Sequence, residues 1–151
     1  MAMIIRTASP EETRLAGERL AALLRPGDLI AYTGGLGAGK TTFTAGLARG
    51  LGLRDAWVSS PTFALVHQYG GGPGEPTLCH FDMYRIETMD DLYSTGFFDY
   101  LDSGAVLAVE WSENIEGALT EPHITVDIAV TGEDARTITI TGDERFEAVG
   151  P

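Results

Sequence analysis

Gly34-Gly35-Leu36-Gly37-Ala38-Gly39-Lys40-Thr41 has the spacing G-x-x-x-x-G-K-[ST], the pattern of a loop that wraps phosphate. Each residue type has a chemical reason. Glycines let the backbone curl until its N–H groups converge on phosphate oxygens without obstruction by a Cβ. A helix starting near Lys40 adds the positive end of its dipole at the same place. Lys40 then neutralises the β- and γ-phosphates, the Thr41 hydroxyl ligates magnesium, and Thr42 donates to the α-phosphate. A chance match in a chain of 151 residues is on the order of one in several hundred from average amino-acid usage. Lys40 is also the only lysine in the chain.

Such a loop works with a carboxylate at the C-terminal end of a strand, which holds magnesium through its water shell. Two candidates stand at such ends: Asp82 after Thr77-Leu78-Cys79-His80-Phe81, and Glu110 after Ala105-Val106-Leu107-Ala108-Val109. Hydrophobicity alone favours the second strand, but the pattern does not decide between them. As an alternative, Asp82 is a strand-end carboxylate without a ligand, and Trp111 reads as core packing. Arg85 either pairs with a neighbouring carboxylate or approaches a phosphate. His67 and His80 read as structural hydrogen-bonding residues, because no second His or Cys stands at ligand spacing. Cys79 reads as a small buried hydrophobe.

The elements that position these groups alternate between helix and strand, which predicts an α/β fold. Ser9-Pro10-Glu11-Glu12 signals a capped helix that runs to Pro26-Gly27. Leu29 to Tyr32 is a buried strand, and Phe43, Leu47 and Leu51 give the segment after the loop a helical face. Phe63 to Tyr69 and Thr77 to Phe81 read as strands joined by a glycine-rich turn, and Thr88 to Tyr93 as a short helix with Met89 and Leu92 in the core. Ala105 to Val109 is an interior strand, and Ile124 to Val130 with Arg136 to Thr141 forms a C-terminal β-hairpin. No linker or repeat divides the chain, so residues 1–151 are expected to form one domain with a frayed tail from Asp143.

Composition narrows the function further. The chain carries 22 acidic against 10 basic side chains, a net charge of −12, which opposes autonomous nucleic-acid binding. Apolar runs are too short for a membrane span, and the N-terminus lacks a signal-peptide pattern. With a single cysteine as well, the expected location is cytoplasmic. A guanine-reading Asn-Lys-x-Asp element cannot exist with one lysine, in the phosphate loop, and one asparagine, Asn114. A small-molecule kinase remains the alternative, although the basic lid that such kinases use has no cluster of arginines to form it. With few cations near the loop, slow hydrolysis is expected.

Four blocks occur in order: the phosphate loop through Thr42, Ser60-Pro61-Thr62-Phe63, His80-Phe81-Asp82-Met83-Tyr84-Arg85, and Glu110-Trp111-Ser112-Glu113. Together they resemble the TsaE (YjeE) family, P-loop ATPases of bacterial tRNA threonylcarbamoyladenosine biosynthesis. The resemblance implies a single-domain P-loop NTPase fold with a mixed, mainly parallel sheet flanked by helices, binding ATP or ADP with Mg2+. It implies nucleotide contacts from Gly35, Leu36, Gly37, Ala38, Gly39, Lys40, Thr41, Thr42 and Trp111. Asp82 takes the Walker B role, Glu110 a magnesium or water-positioning role, and Thr62 matches the threonine of a switch-like loop. Catalysis would rest on Lys40, Glu110 and Thr62. TsaB and TsaD are the implied partners, with tRNA met only through them. Gly35 stands where the family pattern has an acidic residue, which bears on loop dynamics and turnover, and Ser112 where it has a proline.

Overall fold

The computed structural model describes residues 2–35, 38–53, 58–59, 61, 65–119 and 123–146. Alternation in Met3–Thr7 puts Met3, Ile5 and Thr7 inward and forms an edge strand, β1. Helix α1 (Pro10–Ala21) follows. Its cap is the expected one: the Glu12 N–H donates to Ser9 Oγ at 3.2 Å, and Pro10 occupies the first turn. Glu12 Oε1 in turn accepts from the Ala8 N–H at 3.0 Å, one residue earlier than a capping box would have it. Strand β2 (Leu29–Thr33) leads into the loop and helix α2 (Lys40–Gly50). Then come β3 (Val66–Gly70), β4 (Thr77–Asp82), α3 (Met89–Ser94), α4 (Phe97–Asp102), β5 (Val106–Glu110), β6 (Ile124–Val130) and β7 (Arg136–Thr141). Short 3-10 turns cover Ser112–Ala118 and Glu144–Phe146.

The strands form one sheet in the order β1-β7-β6-β2-β5-β4-β3. Its centre, β6-β2-β5-β4, is parallel, and antiparallel pairs close both edges. Pleat alternation divides the core in two. Ile30, Tyr32, Leu78, Val106 and Ala108 face α1 and α2, while Leu29, Ala31, Phe81, Leu107 and Val109 face α3 and α4. This is the mixed α/β architecture that the sequence predicted, with the hairpin β6–β7 at the expected residues.

Four expectations change. Helix α1, expected to run to Pro26-Gly27, ends at Ala21. Of the tail expected to fray from Asp143, residues 147–151 lie outside the described residues. Residues 143–146 pack: Phe146 is buried, and Arg145 donates to Asp28 Oδ2 at 2.8 Å and to Asp143 Oδ1 at 2.9 Å. That pairing holds the Asp143 carboxyl down at about 2. Met89 is 54% exposed at the start of α3, so the helix buries Leu92 alone. The strand predicted from Phe63 starts at Val66, and Phe63 itself lies outside the described residues.

α1 and α2 approach backbone to backbone through glycines. A Cβ on Gly46 would sit 2.0 Å from the Arg14 carbonyl oxygen, and one on Gly17 would sit 2.3 Å from that of Phe43. Gly46→Ala therefore forces the helices apart despite its better helix propensity. Overpacking of this kind costs about 1–3 kcal/mol, against about 0.5–1 regained from propensity. Thermal unfolding should show Tm lowered by about 2–8 °C. An unchanged or raised Tm would show that α1 and α2 do not pack this closely.

Candidate functional site

Parallel β2, β5 and β4 bring their C-terminal ends to one edge of the sheet, and the loop begins there. Thr33 Oγ1 donates to Asp127 Oδ1 on β6 at 2.7 Å, which fixes the end of β2. The chain then turns at Gly34 with φ +125°, where a Cβ would lie 2.4 Å from the Ile128 carbonyl oxygen. Only glycine fits such a close approach in that conformation. Leu36 and Gly37 lie outside the described residues. Ala38 is buried, its carbonyl oxygen accepting from Arg136 Nε on β7 at 2.8 Å. Gly39, at φ +109°, is the N-cap of α2, so Lys40, Thr41 and Thr42 form the first turn. A buried bond between Tyr32 Oη and Thr44 Oγ1, 2.7 Å, ties β2 to α2 below the loop, and Thr44 Oγ1 also donates to the Lys40 carbonyl.

The α2 side of the same edge carries the acids. Asp82 ends β4, Glu110 ends β5, and the two are register partners. Asp82 is buried, and its Oδ1 accepts from the Tyr84 N–H at 2.9 Å. The Glu110 side chain retains 13% exposure, and its Oε2 lies 2.6 Å from His80 Nε2. The main chain is tied there too: Met83 N–H donates to the Glu110 carbonyl, and Asn114 Nδ2 to that of Met83 at 2.8 Å. Both carboxylates that the sequence left open therefore stand side by side at this edge. Hydrophobicity alone favours the strand of Glu110; the parallel register puts Asp82 level with it on the neighbouring strand.

A cavity of about 290 Å³ lies over the loop, lined by Tyr32, Thr33, Gly34, Gly35, Lys40, Trp111 and Glu113. Trp111 also lines a second cavity of about 380 Å³ with Tyr84, Arg85, Glu87 and Asn114. Its ring packs on Tyr84 at 4.9 Å, and its φ of +58° is left-handed, a conformation that bulky residues hold at a cost. The two readings of Trp111 therefore merge: it is half-buried and it walls the cavity. Thr42 lines a further shallow cleft with Pro10, Thr13, Gly39, Asp134 and Arg136. Arg85 is exposed and makes no ion pair among the described residues. Thr62 lies outside the described residues.

The sequence reading missed Tyr32, Thr33 and Glu113 as cavity walls, Arg136 as a support of the loop, and His80 as the partner of Glu110. A usable signal existed for His80: residues 80 and 82 of a strand share a face. His67 and the cysteine behave as structural groups. His67 Nδ1 sits 3.2 Å from the Ser59 carbonyl oxygen and 3.3 Å from Tyr69 Oη, and burial pushes the Cys79 thiol up to about 12.

Oxygen donors at the end of a phosphate loop suit magnesium, which takes one or two carboxylates and fills its shell with water and phosphate. Thr41, Asp82 and Glu110 meet that description. Among the described residues no three His, Cys, Asp or Glu side chains gather into a metal cage.

Comparison with known proteins agrees with this geometry. The family model described as "Threonylcarbamoyl adenosine biosynthesis protein TsaE" matches residues 7–138. A protein of Bacillus subtilis (strain 168) named tRNA threonylcarbamoyladenosine biosynthesis protein TsaE is 41% identical over 143 residues, covering 94% of this chain and 87% of that one. Its namesake in Streptomyces coelicolor is 43% identical over 137 residues, covering 85% and 89%. The crystal structure of YdiB from Bacillus subtilis superposes with a TM-score of 0.74 at 35% identity, covering 97% of this chain and 90% of that one. With the family model spanning most of its length and the phosphate loop seated at the end of β2, this chain belongs to the TsaE family.

Proposed function

We propose that this chain binds ATP with magnesium at the edge formed by β2, β4 and β5, and hydrolyses it slowly. The observation that carries the reading is the convergence of a glycine-rich strand-to-helix loop with two register-paired strand-end carboxylates. Backbone N–H groups of the loop and the first turn of α2 donate to phosphate oxygens, and Lys40 neutralises their charge. Thr41 and Asp82 hold the ion, and Glu110 orients the attacking water and receives its proton. Magnesium, when bound, withdraws charge from the phosphate oxygens. Trp111 and Tyr32 wall the site and limit its access to water. Thr62, through its place in the motif order, senses the triphosphate.

The relatives are named for biosynthesis of threonylcarbamoyladenosine in tRNA, and we place this chain in that process, with TsaB and TsaD as its partners and the cytoplasm as its location. The net charge of −12 favours protein partners over direct contact with RNA. Nucleotide state reaches the partners only through differential affinity. Titration of a TsaB–TsaD complex at physiological salt should give different affinities for the ATP-loaded and ADP-loaded forms. Micromolar binding of tRNA to the chain alone, with no nucleotide-sensitive binding to the partners, would overturn this part of the reading.

The two carboxylates have separable roles. Asp82→Asn should weaken the magnesium-dependent part of ATP binding. Glu110→Gln should lower kcat by about 10²-fold or more while changing affinity little, in line with the loss of a general base. Calorimetry and phosphate release measure the two effects. If Glu110→Gln loses magnesium dependence and Asp82→Asn does not, the roles are exchanged.

A further inference from the structure

His80 stands two residues before Asp82 on β4, so both side chains leave the sheet on the α2 side. Across the parallel ladder His80 is level with Ala108, two residues before Glu110 on β5. Ala108 presents only a methyl group beside His80, and the imidazole reaches Glu110 two residues further along β5. There Nε2 meets Oε2 at 2.6 Å, a short contact for a hydrogen bond to a carboxylate. The ring has no solvent exposure, and the edge of Tyr32 packs beside it with centroids 6.3 Å apart. Tyr32 is itself held by Thr44.

The far side of the ring fixes the tautomer. Nδ1 is buried and has no hydrogen-bond partner among the described residues. An unpaired buried N–H is rarer in native structures than an acceptor left with an empty lone pair. The proton therefore sits on Nε2, where it is donated to Glu110, and Nδ1 carries the lone pair. The imidazole takes one oxygen of the carboxylate and leaves Oε1 for other chemistry. An aliphatic side chain of similar volume would fill the same place beside Leu78 and Ala108 but would let the Glu110 side chain turn.

We propose that His80 is a positioning residue for Glu110: its Nε2–H fixes the carboxylate rotamer so that Oε1 meets the water that attacks the nucleotide. This rests on the ATPase reading above. It predicts an effect on turnover with little effect on binding, because among the described residues the hydrogen bond of the ring goes to Glu110 and not to the phosphate loop.

The test compares His80→Gln with His80→Asn. Both bury an amide of the same polarity, so they load the fold alike. The glutamine amide nitrogen reaches about as far as Nε2, and the asparagine nitrogen only as far as Nδ1. For Mg-ATP hydrolysis, His80→Asn should lose about 10- to 100-fold in kcat with KM held within about threefold, the size of effect expected when a reacting group is misplaced by an ångström. His80→Gln should stay within about threefold of wild type in both constants. Equal kcat for the two variants, whether both normal or both reduced, would overturn the proposal. A long-range 1H–15N spectrum of the nucleotide-free protein gives a second readout that needs no activity. His80 should appear as the Nε2–H tautomer, its signal moving in Glu110→Gln. A proton on Nδ1, or a signal indifferent to that substitution, would also overturn it. Should the wild-type protein hydrolyse no ATP, the ATPase reading fails, and the spectrum alone decides whether His80 holds Glu110.

Discussion

Parallel pairing of β2, β5 and β4 is the constraint from which the site follows. Parallel strands end on the same edge, so the carboxylates of Asp82 and Glu110 and the loop after Thr33 meet there whatever lies between them in sequence. The register does the finer work. Asp82 opposite Glu110 puts two acids on one rung, which is costly without a cation or hydrogen-bond donors to balance them. The protein supplies part of that balance from its own groups: the Tyr84 N–H on Asp82 and the His80 ring on Glu110. The remaining lone pairs are the ones a magnesium ion and its waters would use.

The antiparallel side of the sheet supports the loop itself. β6 meets Gly34 so closely that a Cβ there is excluded, and Asp127 on the same strand holds Thr33. β7 contributes Arg136, whose guanidinium donates to the carbonyl of Ala38 and to carbonyls of its own hairpin turn at Gly132, Glu133 and Ala135. Its Nε thereby satisfies one loop carbonyl, that of Ala38, directly before the N-cap of α2. One guanidinium thus ties the β6–β7 turn to Ala38.

Segments with a strong local signal were legible in the sequence. Ile124–Val130 and Arg136–Thr141 alternate, and Ser9-Pro10 starts α1 by capping chemistry that needs no tertiary context. β1 was missed because Ile4 interrupts the alternation of Met3, Ile5 and Thr7 with an apolar residue. α4 was missed because Phe97–Asp102 is too short to display a helical period, starting from Gly96 at φ +81°. The phosphate loop and its helix could be read because one contiguous motif encodes them. The contacts of His80 with Glu110 and of Arg136 with Ala38 could not, because they span 30 and 98 positions and depend on strand register. The tail illustrates the same limit. Arg145 is held by Asp28, 117 positions away, and a polar terminal segment gives no local hint of that.

Everything proposed for the site requires that phosphate sit against Lys40, the only lysine in the chain. Calorimetric titration of Mg-ATP into the wild-type protein and Lys40→Ala tests that requirement most directly. Removing the side-chain cation should weaken binding at least tenfold, about 1.4 kcal/mol, without a change in the far-ultraviolet spectrum of the fold. Equal affinities for the two proteins would place the nucleotide elsewhere and contradict the account.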